Sequence, residues 1–452
     1  MDLNRYLHRT IRCGCGREHT CSVRCIDIAE GALARLPGHI QALGCHHVFL
    51  VADRNTWAAA GKQAANALDA AGIPCVSYVI DADEPVPDEA CIGALMMAFP
   101  MECDLVLAVG SGTINDLCKF VASRTGRESM ILATAPSMDG FVSPGAALML
   151  NHMKVTLDCR SPVAVVGDPD ILCQAPVRLI AAGLGDTLGK YTCLLDWKLA
   201  HWITGEYYCP EVVRMVRTAL ETVESQSTAV QTREPAAVQA VMEALVLTGI
   251  AMSFTGNSRP ASGCEHHLSH FWEMRTLMAG RMPALHGIQV GLGTILALRM
   301  YHELAEEKPD FELAMAVQPD PAAWERHMRA CFLDAADAVI ALEKKAGKND
   351  PEARNRRLQA IRLHWNEICQ AIRDELPPTE DMQALLLSLG GAVTPQQMGL
   401  ECSLVQEGVE VARELRDRYT LLQLLWDLNL SEVYARRTAD AFRVTDDRIR
   451  ES

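Results

Sequence analysis

The sequence lacks the long apolar run that a membrane span requires. No uncharged apolar stretch reaches the ~18 residues needed to cross a bilayer, and the stretch around 385–400 is interrupted by glycine, proline and glutamine. The start of the sequence, MDLNRYLHRTIRC, has no apolar core of a secretory signal. We therefore expect a cytoplasmic protein without membrane insertion, whose 17 cysteines are reduced rather than paired in disulfides.

Positive charge is also scarce. Lys and Arg together number 42 against 57 Asp and Glu, which gives a formal net charge of −15. Such a surface repels phosphate backbones, so nucleic acid is excluded as a partner. A small anionic substrate is compatible with this charge if a metal ion or a helix N-terminus supplies local positive potential. The length suffices for two or three domains, and there is no internal repeat.

Strand-like and helical patterns alternate in the first third of the chain. Apolar runs typical of strands occupy 46–53, 75–81, 104–109, 130–134 and 163–166, with helical patterns between them. This alternation predicts a mostly parallel sheet with helices on both faces. After Pro176 only long amphipathic helical stretches follow. We predict a Rossmann-like α/β domain over 1–172 and an all-α domain over 173–452, with the active site in the cleft between them.

A glycine-containing turn, Gly110-Ser111-Gly112, comes directly after an apolar run and opens a helix. Small residues there let backbone N–H groups approach a diphosphate. The dinucleotide fingerprint G-x-G-x-x-G is absent, because Asn115 fills its last position. The alternative interpretation is a tight turn whose glycines adopt a positive φ.

Two further segments carry candidate ligands. Thr134 to Gly140 follows the next apolar run; its hydroxyls suit a nucleotide and Asp139 a substrate hydroxyl, although such residues also form turns. Asp186 precedes a helical pattern and is either its N-cap or a metal carboxylate.

Three of the 14 histidines cluster within five positions. Ser262 and Glu265 have the spacing of a capping box, so a helix should begin there. His266 and His270 then share one helix face, whereas His267 faces elsewhere. An exposed, polar helix start is the alternative.

A fourth histidine, His286, begins the next helical pattern, which contains three glycines that suggest close helix contact or ligand approach. Asp186, His266 and His286 would form an O/N/N set that suits Zn²⁺ or another divalent metal with one position open. At the N-terminus, the segment from Cys13 to Cys21, which also contains Cys15 and His19, allows a zinc knuckle, but a β-hairpin with incidental thiols is favoured, because no second cysteine pair matches.

Five segments in chain order resemble the sn-glycerol-1-phosphate dehydrogenase family, within the superfamily of metal-dependent polyol dehydrogenases and dehydroquinate synthases. They read GSGTINDLCKF, ATAPSMDGFVS, GLGDTLGKYT, RPASGCEHHLSHFWE and LHGIQVGLG. The resemblance implies an oxidoreductase of phospholipid metabolism that reduces dihydroxyacetone phosphate with NAD(P)H. We expect a homodimer, because the two-fold dimer is the commonest oligomer. Ser111, Pro136 and Cys264 depart from the usual pattern, and the helical half has extra length near 307–380.

The resemblance also implies residue roles. NAD(H) or NADP(H) would be bound by the following residues: Asp53, Gly110, Ser111, Gly112, Thr113, Ile114, Thr134, Ser137 and Ser143. One divalent metal, with Zn²⁺ favoured and Ni²⁺ or Fe²⁺ possible, would be held by Asp186, His266 and His286. Asp139, Asp186 and His270 would contact the triose phosphate, with His270 relaying a proton.

Three alternatives stay open at this point. A polyol dehydrogenase acting on glycerol and a cyclase of the dehydroquinate synthase type share the expected fold, and a non-catalytic nucleotide- or metal-binding module is the third. Cofactor preference is also open, because Asp53 favours a ribose hydroxyl whereas Arg54 could accept a 2′-phosphate. Lys154 and Arg259 are candidate ligands of the substrate phosphate.

Overall fold

A computed structural model describes residues 1–8, 10–150 and 153–450. The chain forms two compact units. Unit 1 comprises Met1–Thr187 and Pro210–Ser258, and unit 2 comprises Leu188–Cys209 and Arg259–Ser452. The boundary predicted after residue 172 marks the change from strands to helices. The compact units divide elsewhere, because the helices of 210–258 pack with the sheet rather than with the later helices.

Unit 1 is built on a six-stranded parallel sheet with the strand order β3-β10-β7-β6-β4-β5. Two antiparallel hairpins, β1–β2 and β8–β9, accompany it. The strands are β1 Thr10–Arg12, β2 Glu18–Thr20, β3 Cys25–Ile28, β4 Val48–Asp53, β5 Cys75–Ile80, β6 Leu105–Gly110, β7 Glu128–Ala133, β8 Gly145–Leu150, β9 Met153–Asp158 and β10 Ala164–Gly167.

The predicted α/β fold class is confirmed, and each of the five predicted strand runs is a strand of the sheet. Every residue of β4 and β6 is buried, because helices cover both faces of a parallel sheet. Strand β3 escaped prediction, since Asp27 interrupts its apolar pattern. The Asp27 carboxylate accepts hydrogen bonds from Arg35 Nε at 2.7 Å and from Arg35 Nη2 at 2.8 Å.

The helices of unit 1 flank this sheet. They are α1 Ala32–Ala42, α2 Arg54–Thr56, α3 Lys62–Ala70, α4 Glu89–Ala98, α5 Gly112–Thr125, α6 Pro169–Leu172, α7 Val177–Leu188 (whose last residue belongs to unit 2), α9 Pro210–Ser225, α10 Ser227–Gln231 and α11 Pro235–Thr255, with a π-helical turn at Trp57–Gly61 and 3₁₀ turns at Asn4–Tyr6 and Gly140–Val142. By length and composition α11 could cross a bilayer, but 89 % of its most apolar stretch is buried.

Unit 2 is helical throughout its described part. Its helices are α8 Lys190–Thr204, α12 Cys264–Met278, α13 His286–Ala305, α14 Phe311–Ala316, α15 Pro321–Phe332, α16 Ala336–Ala346, α17 Pro351–Glu375, α18 Thr379–Ser388, α19 Cys402–Val411, α20 Leu421–Asp427 and α21 Ser431–Arg450, with 3₁₀ turns at Leu333–Ala335, Pro395–Met398 and Ala412–Leu415. Helix α7 ends at Leu188 and α8 begins at Lys190, so only Gly189 separates the two helices.

The extra helical length near 307–380 belongs to the core of unit 2. Arg357 of α17 forms a two-pronged ion pair with the buried Asp427, with Nε–Oδ2 at 2.8 Å and Nη2–Oδ1 at 2.7 Å. Arg354, one turn earlier, donates to the carbonyl oxygen of Asp427 at 2.7 Å. This segment therefore anchors the C-terminal helices through buried charge.

Candidate active site

The predicted cofactor residues of unit 1 follow three neighbouring strands. Asp53 ends β4, Gly110 ends β6, and Thr134 comes directly after β7. Since β7, β6 and β4 are adjacent and parallel, their carboxyl ends share one edge of the sheet. Ligands of open parallel sheets bind at this edge.

The turn after β6 needs glycine for space. Neither Gly110 nor Gly112 adopts a positive φ, so the interpretation as a positive-φ turn is wrong. A Cβ on Gly110 would lie 2.7 Å from Ile114 Cβ, and a Cβ on Gly112 would lie 3.2 Å from Met138 Cγ. Ile114 is buried, so its side chain packs in the core and only its backbone could face a ligand. Helix α5 begins at Gly112, which places a helix N-terminus at the end of β6.

Hydroxyl groups join the turns after β6 and β7. Ser111 Oγ donates to the carbonyl oxygen of Ala135 at 3.1 Å and also contacts Ser137 Oγ. Ser137 is buried, while Ser111 and Thr113 are half-buried. The two predicted cofactor segments are thus fixed to each other within unit 1.

A buried lysine, which sequence reasoning missed, organises the segment after Asp139. Lys119 of α5 donates through Nζ to the carbonyl oxygen of Gly140 at 2.9 Å and to Ser143 Oγ at 3.4 Å, and it pairs with Asp116 at 2.8 Å. Ser143 Oγ in turn donates to Gly140 O at 3.1 Å. The signal available in the sequence was a Lys three positions after an Asp within a helical pattern.

Asp53 and Arg54 have partners of their own. Asp53 caps α2, accepting from Thr56 N at 2.7 Å, and burial raises the pKa of its carboxyl group. Arg54 is bound to Asp81, with Nε–Oδ1 at 2.8 Å, and lies 3.7 Å from Asp83. These acidic partners oppose the binding of a 2′-phosphate by Arg54.

Asp186 lies in the last turn of α7, so the alternative role as an N-cap is wrong: the helix begins at Val177. Asp186 is fully buried, and its Oδ2 accepts a hydrogen bond from the backbone N–H of Asp139 at 2.9 Å. A Cβ on Gly183 would lie 1.8 Å from the carbonyl oxygen of Pro136. Helix α7 therefore packs directly on the backbone of the segment that carries Asp139.

Three imidazoles meet in unit 2. His266 and His270 lie one turn apart on α12, and His286 is the first residue of α13. The ring centroid of His286 lies 5.2 Å from that of His266 and 5.7 Å from that of His270. His267 is fully buried, and its burial lowers the pKa of the imidazole well below the usual value.

Glu265 orients the first of these imidazoles. Its Oε1 accepts from His266 Nδ1 at 2.7 Å and from Gly263 N at 2.6 Å, and its Oε2 accepts from Thr192 Oγ1 at 2.7 Å. Burial alone would raise the pKa of this carboxyl group, but the hydrogen bonds, that of His266 foremost, outweigh it and the pKa is lowered. Glu265 is therefore an ionised acceptor.

The predicted capping box is wrong. The N-cap of α12 is Gly263, without a side-chain cap, so Ser262 does not play that role. The expectation of close helix contact at the α13 glycines fits the structure: a Cβ on Gly293 would lie 2.5 Å from the carbonyl oxygen of Glu265. Helices α12 and α13 can approach closely enough to bring the imidazoles together only because Gly293 has no side chain.

The donor chemistry in unit 2 fits a divalent first-row metal. Because His266 Nδ1 donates to Glu265, its Nε2 carries the lone pair that a metal needs. His270, Glu273 and His286 offer ligand atoms within 4.8 Å of one another. Imidazole and carboxylate ligands suit Zn²⁺, Ni²⁺ or Fe²⁺ alike. The carboxylate of Asp186 belongs to unit 1, in a helix whose last residue is already part of unit 2.

The two candidate phosphate ligands are placed differently. Arg259 is buried and engaged by Glu206, with Nε–Oε1 at 2.6 Å, and by the carbonyl oxygen of Tyr419 at 3.0 Å. This side chain has a structural role, since a buried guanidinium with such partners is costly to move. Lys154 is exposed on β9.

The comparisons with known proteins address the fold first. A family model described as iron-containing alcohol dehydrogenase matches residues 27–176. A probable glycerol dehydrogenase from Sinorhizobium meliloti aligns with a TM-score of 0.58 at 15 % identity, covering 92 % of this chain and 98 % of that one. Glycerol dehydrogenase from Schizosaccharomyces pombe aligns with a TM-score of 0.60 at 13 % identity, covering 93 % and 91 %. These similarities show a common fold.

Curated relatives address the family. A protein of Halalkalibacterium halodurans named glycerol-1-phosphate dehydrogenase (NAD(P)+) is 34 % identical over 417 residues, which cover 91 % of this chain and 95 % of the relative. One of Geobacillus stearothermophilus with the same name is 32 % identical over 422 residues, covering 92 % and 96 %. Identity at this level extends across both units. The resemblance drawn from the five segments is confirmed, and the chain belongs to the glycerol-1-phosphate dehydrogenase family.

Proposed function

We propose that this chain catalyses the reversible reduction of dihydroxyacetone phosphate to sn-glycerol 1-phosphate with NADH or NADPH. The observation that carries the proposal is the similarity over about nine-tenths of the chain to relatives named for this activity. The grouped imidazoles of unit 2 and the helix N-terminus after β6 in unit 1 are chemically suited to it.

One divalent metal, with Zn²⁺ favoured, would be held by Asp186, His266 and His286. When bound, it would polarise the substrate ketone, while the nicotinamide supplies or takes the hydride. Glu265 keeps the Nδ1 proton on His266, so that Nε2 is always the ligand atom. The backbone N–H of Asp139 donates to Asp186 Oδ2 and so helps to orient the carboxylate that would bind the ion.

The cofactor would lie along the carboxyl ends of β6 and β7. The first turn of α5, at Gly112 and Thr113, offers backbone N–H groups and the positive end of a helix to the diphosphate. Ser111, Ser137 and Thr134 border the same edge. Because Arg54 is paired with Asp81, we propose that NADH is used in preference to NADPH.

His270 would exchange the proton with the substrate oxygen. It is half-buried beside His286 and lies 3.7 Å from Glu273, so it retains access to solvent. An imidazole titrates near neutral pH and can serve in both directions of a reversible reaction. Asp139 would accept a hydrogen bond from a substrate hydroxyl.

The decisive experiment supplies purified protein with dihydroxyacetone phosphate and NADH after loading with Zn²⁺, Ni²⁺ or Fe²⁺. Loss of NADH absorbance, together with formation of the sn-1 enantiomer in a stereospecific assay, is the expected result. The sn-3 enantiomer, or turnover that persists in the metal-depleted protein, would contradict the proposal. His270→Ala should lower kcat while metal content stays normal, whereas His266→Ala should lower both.

Two alternatives are tested in the same assay. A polyol dehydrogenase would oxidise unphosphorylated glycerol at a comparable rate, and a cyclase would consume no net NADH. A non-catalytic module would bind NADH without turning over any triose or polyol.

A further inference from the structure

A second candidate metal site lies in the N-terminal hairpin of unit 1. Strands β1 and β2 are joined by a turn that contains Cys13 and Cys15, and His19 lies on β2. The turn is closed by a hydrogen bond from Gly16 N to the carbonyl oxygen of Cys13 at 3.1 Å, with Gly16 at φ +83°. The ligand atoms of the two thiols and the imidazole lie within 4.8 Å of one another. The predicted hairpin is therefore present, but its thiols are grouped rather than scattered.

His19 is held as a metal-binding histidine is held. It is buried, and its Nδ1 lies 2.8 Å from the carbonyl oxygen of Phe254 near the end of α11. A carbonyl oxygen can only accept, so Nδ1 carries the proton and Nε2 carries the lone pair, on the side of Cys15. The imidazole also stacks on the Phe254 ring, with centroids 5.2 Å apart, which fixes its orientation.

The spacing of the donor atoms matches a tetrahedral ion. Zinc binds thiolate sulfur at about 2.3 Å and imidazole nitrogen at about 2.0–2.1 Å, so a tetrahedral angle separates the two atoms by about 3.6 Å. Cys15 Sγ and His19 Nε2 lie 3.5 Å apart. A cluster of cysteine and histidine in a reduced protein is more often a metal site than a disulfide, and all 17 cysteines of this chain are thiols.

The packing of unit 1 holds the hairpin in place. Strand β2 contacts α11, and His19 is bound to Phe254, the penultimate residue of that helix. The hairpin is therefore anchored to α11 at the imidazole that would bind the ion.

We propose that Cys13, Cys15 and His19 bind a structural Zn²⁺ ion, which ties the N-terminal hairpin to the end of α11. None of these three ligands belongs to the Asp186, His266 and His286 set, so this ion would support folding rather than turnover. Its binding would stabilise the folded chain, because the unfolded chain does not hold the three ligand atoms together.

The test is a Co²⁺ titration of the reduced, metal-depleted full-length protein. Thiolate ligands give cobalt a charge-transfer absorption in the near ultraviolet, which the oxygen and nitrogen ligands of the Asp186, His266 and His286 set cannot produce. We expect this band to saturate once both metal sites are filled, at no more than two equivalents of Co²⁺ per chain. It should fall by half or more in Cys13→Ser and Cys15→Ser, and keep its amplitude in the matched control Cys21→Ser and in His266→Ala.

Zinc analysis by mass spectrometry gives a second readout that does not require any variant to fold. The wild-type protein loaded with Zn²⁺ should retain one ion more per chain than the Asp186, His266 and His286 set accounts for, and removing this ion should lower Tm. Absence of the thiolate band in wild-type protein overturns the proposal, as does a Cys13–Cys15 disulfide found in reduced preparations. Full retention of the band in both Cys13→Ser and Cys15→Ser overturns it as well.

Discussion

The two units hold their elements together with different kinds of buried contact. The sheet of unit 1 is surrounded by an apolar cluster that includes Leu50, Leu107 and Leu132 from three neighbouring strands. Unit 1 buries the Lys119–Asp116 pair within a single helix, whereas unit 2 joins helices through buried ion pairs such as Arg357 with Asp427. Apolar burial is non-directional and tolerates exchange of one side chain for another, whereas a buried ion pair fails as soon as one partner is removed. The same chain thus uses two different means of fixing its helices.

The largest effect is expected from Gly183→Ala in unit 1. The added Cβ would lie 1.8 Å from the carbonyl oxygen of Pro136, and backbone cannot yield as a flexible side chain can. We expect a loss of more than about 4 kcal/mol in the free energy of unfolding. Chemical denaturation, or the soluble yield if the variant does not fold, measures it. A Tm within a few degrees of wild type would show that α7 and the segment around Pro136 can move apart at little cost in free energy.

Arg357→Leu probes the ion pairs of unit 2. It leaves the Asp427 carboxylate buried without its guanidinium, and we expect a loss of about 3–5 kcal/mol. The double variant Arg357→Leu/Asp427→Leu should recover most of that loss.

Leu107→Ala in the sheet of unit 1 should lower the free energy of unfolding by about 2–5 kcal/mol, and no second substitution at a partner residue should restore it. Equal losses in the single and double charge variants would remove the distinction between the units.

Asp196 gives unit 2 a pH dependence. Burial, with Glu265 nearby, raises the pKa of Asp196 to about 7 from its usual value near 3.8. The folded chain then binds a proton that the unfolded chain has released, so stability falls as pH rises through this window. The measurement compares the free energy of unfolding of the metal-saturated wild type with that of Asp196→Asn. The wild-type value minus the value of the variant should fall between pH 5 and 7, by at most about 1.4 kcal/mol per pH unit. Parallel curves for the two proteins would contradict this.

The smallest effect has the opposite sign. Gly93 lies inside α4 of unit 1, and a Cβ there would meet no atom within 4 Å. Gly93→Ala should stabilise the protein by about 0.5–1 kcal/mol, because alanine loses less chain entropy in a helix. A small rise in Tm measures it, and the variant is also the matched control for Gly183→Ala. Destabilisation would mean that a side chain at position 93 clashes with a neighbouring group.

The sheet of unit 1 could be predicted from the sequence, because strands that are buried on both faces form uninterrupted apolar runs, such as DLVLAV before Gly110. It also placed His266, His270 and His286 at adjoining helix starts, where helical spacing brings the first two together. Patterns of this kind are local, so they can be recognised without knowledge of tertiary contacts.

Contacts between residues far apart in the chain could not be predicted from the sequence. Glu265 has the spacing of a capping residue, and only the packing of α8 and α12 shows that it joins Thr192 to His266. Arg357 lies in a stretch that is indistinguishable from an exposed helix face until Asp427 is found beside it. A buried charged residue and a solvated one look the same in the sequence. Residues far away in the chain determine whether the charge is buried.

Unit 1 is assembled from two separate stretches of chain, and unit 2 likewise, so the polypeptide passes from one to the other three times. Neither can be expressed as one continuous fragment. A gene truncated after residue 172 would omit α9 and α11 and expose the surfaces that α11 covers, among them Val142, whose Cγ2 lies 2.4 Å from a Cβ on Gly249. Dissection of this protein, or exchange of its halves with a relative, therefore has to keep 1–187 with 210–258, and permuted genes are the practical route.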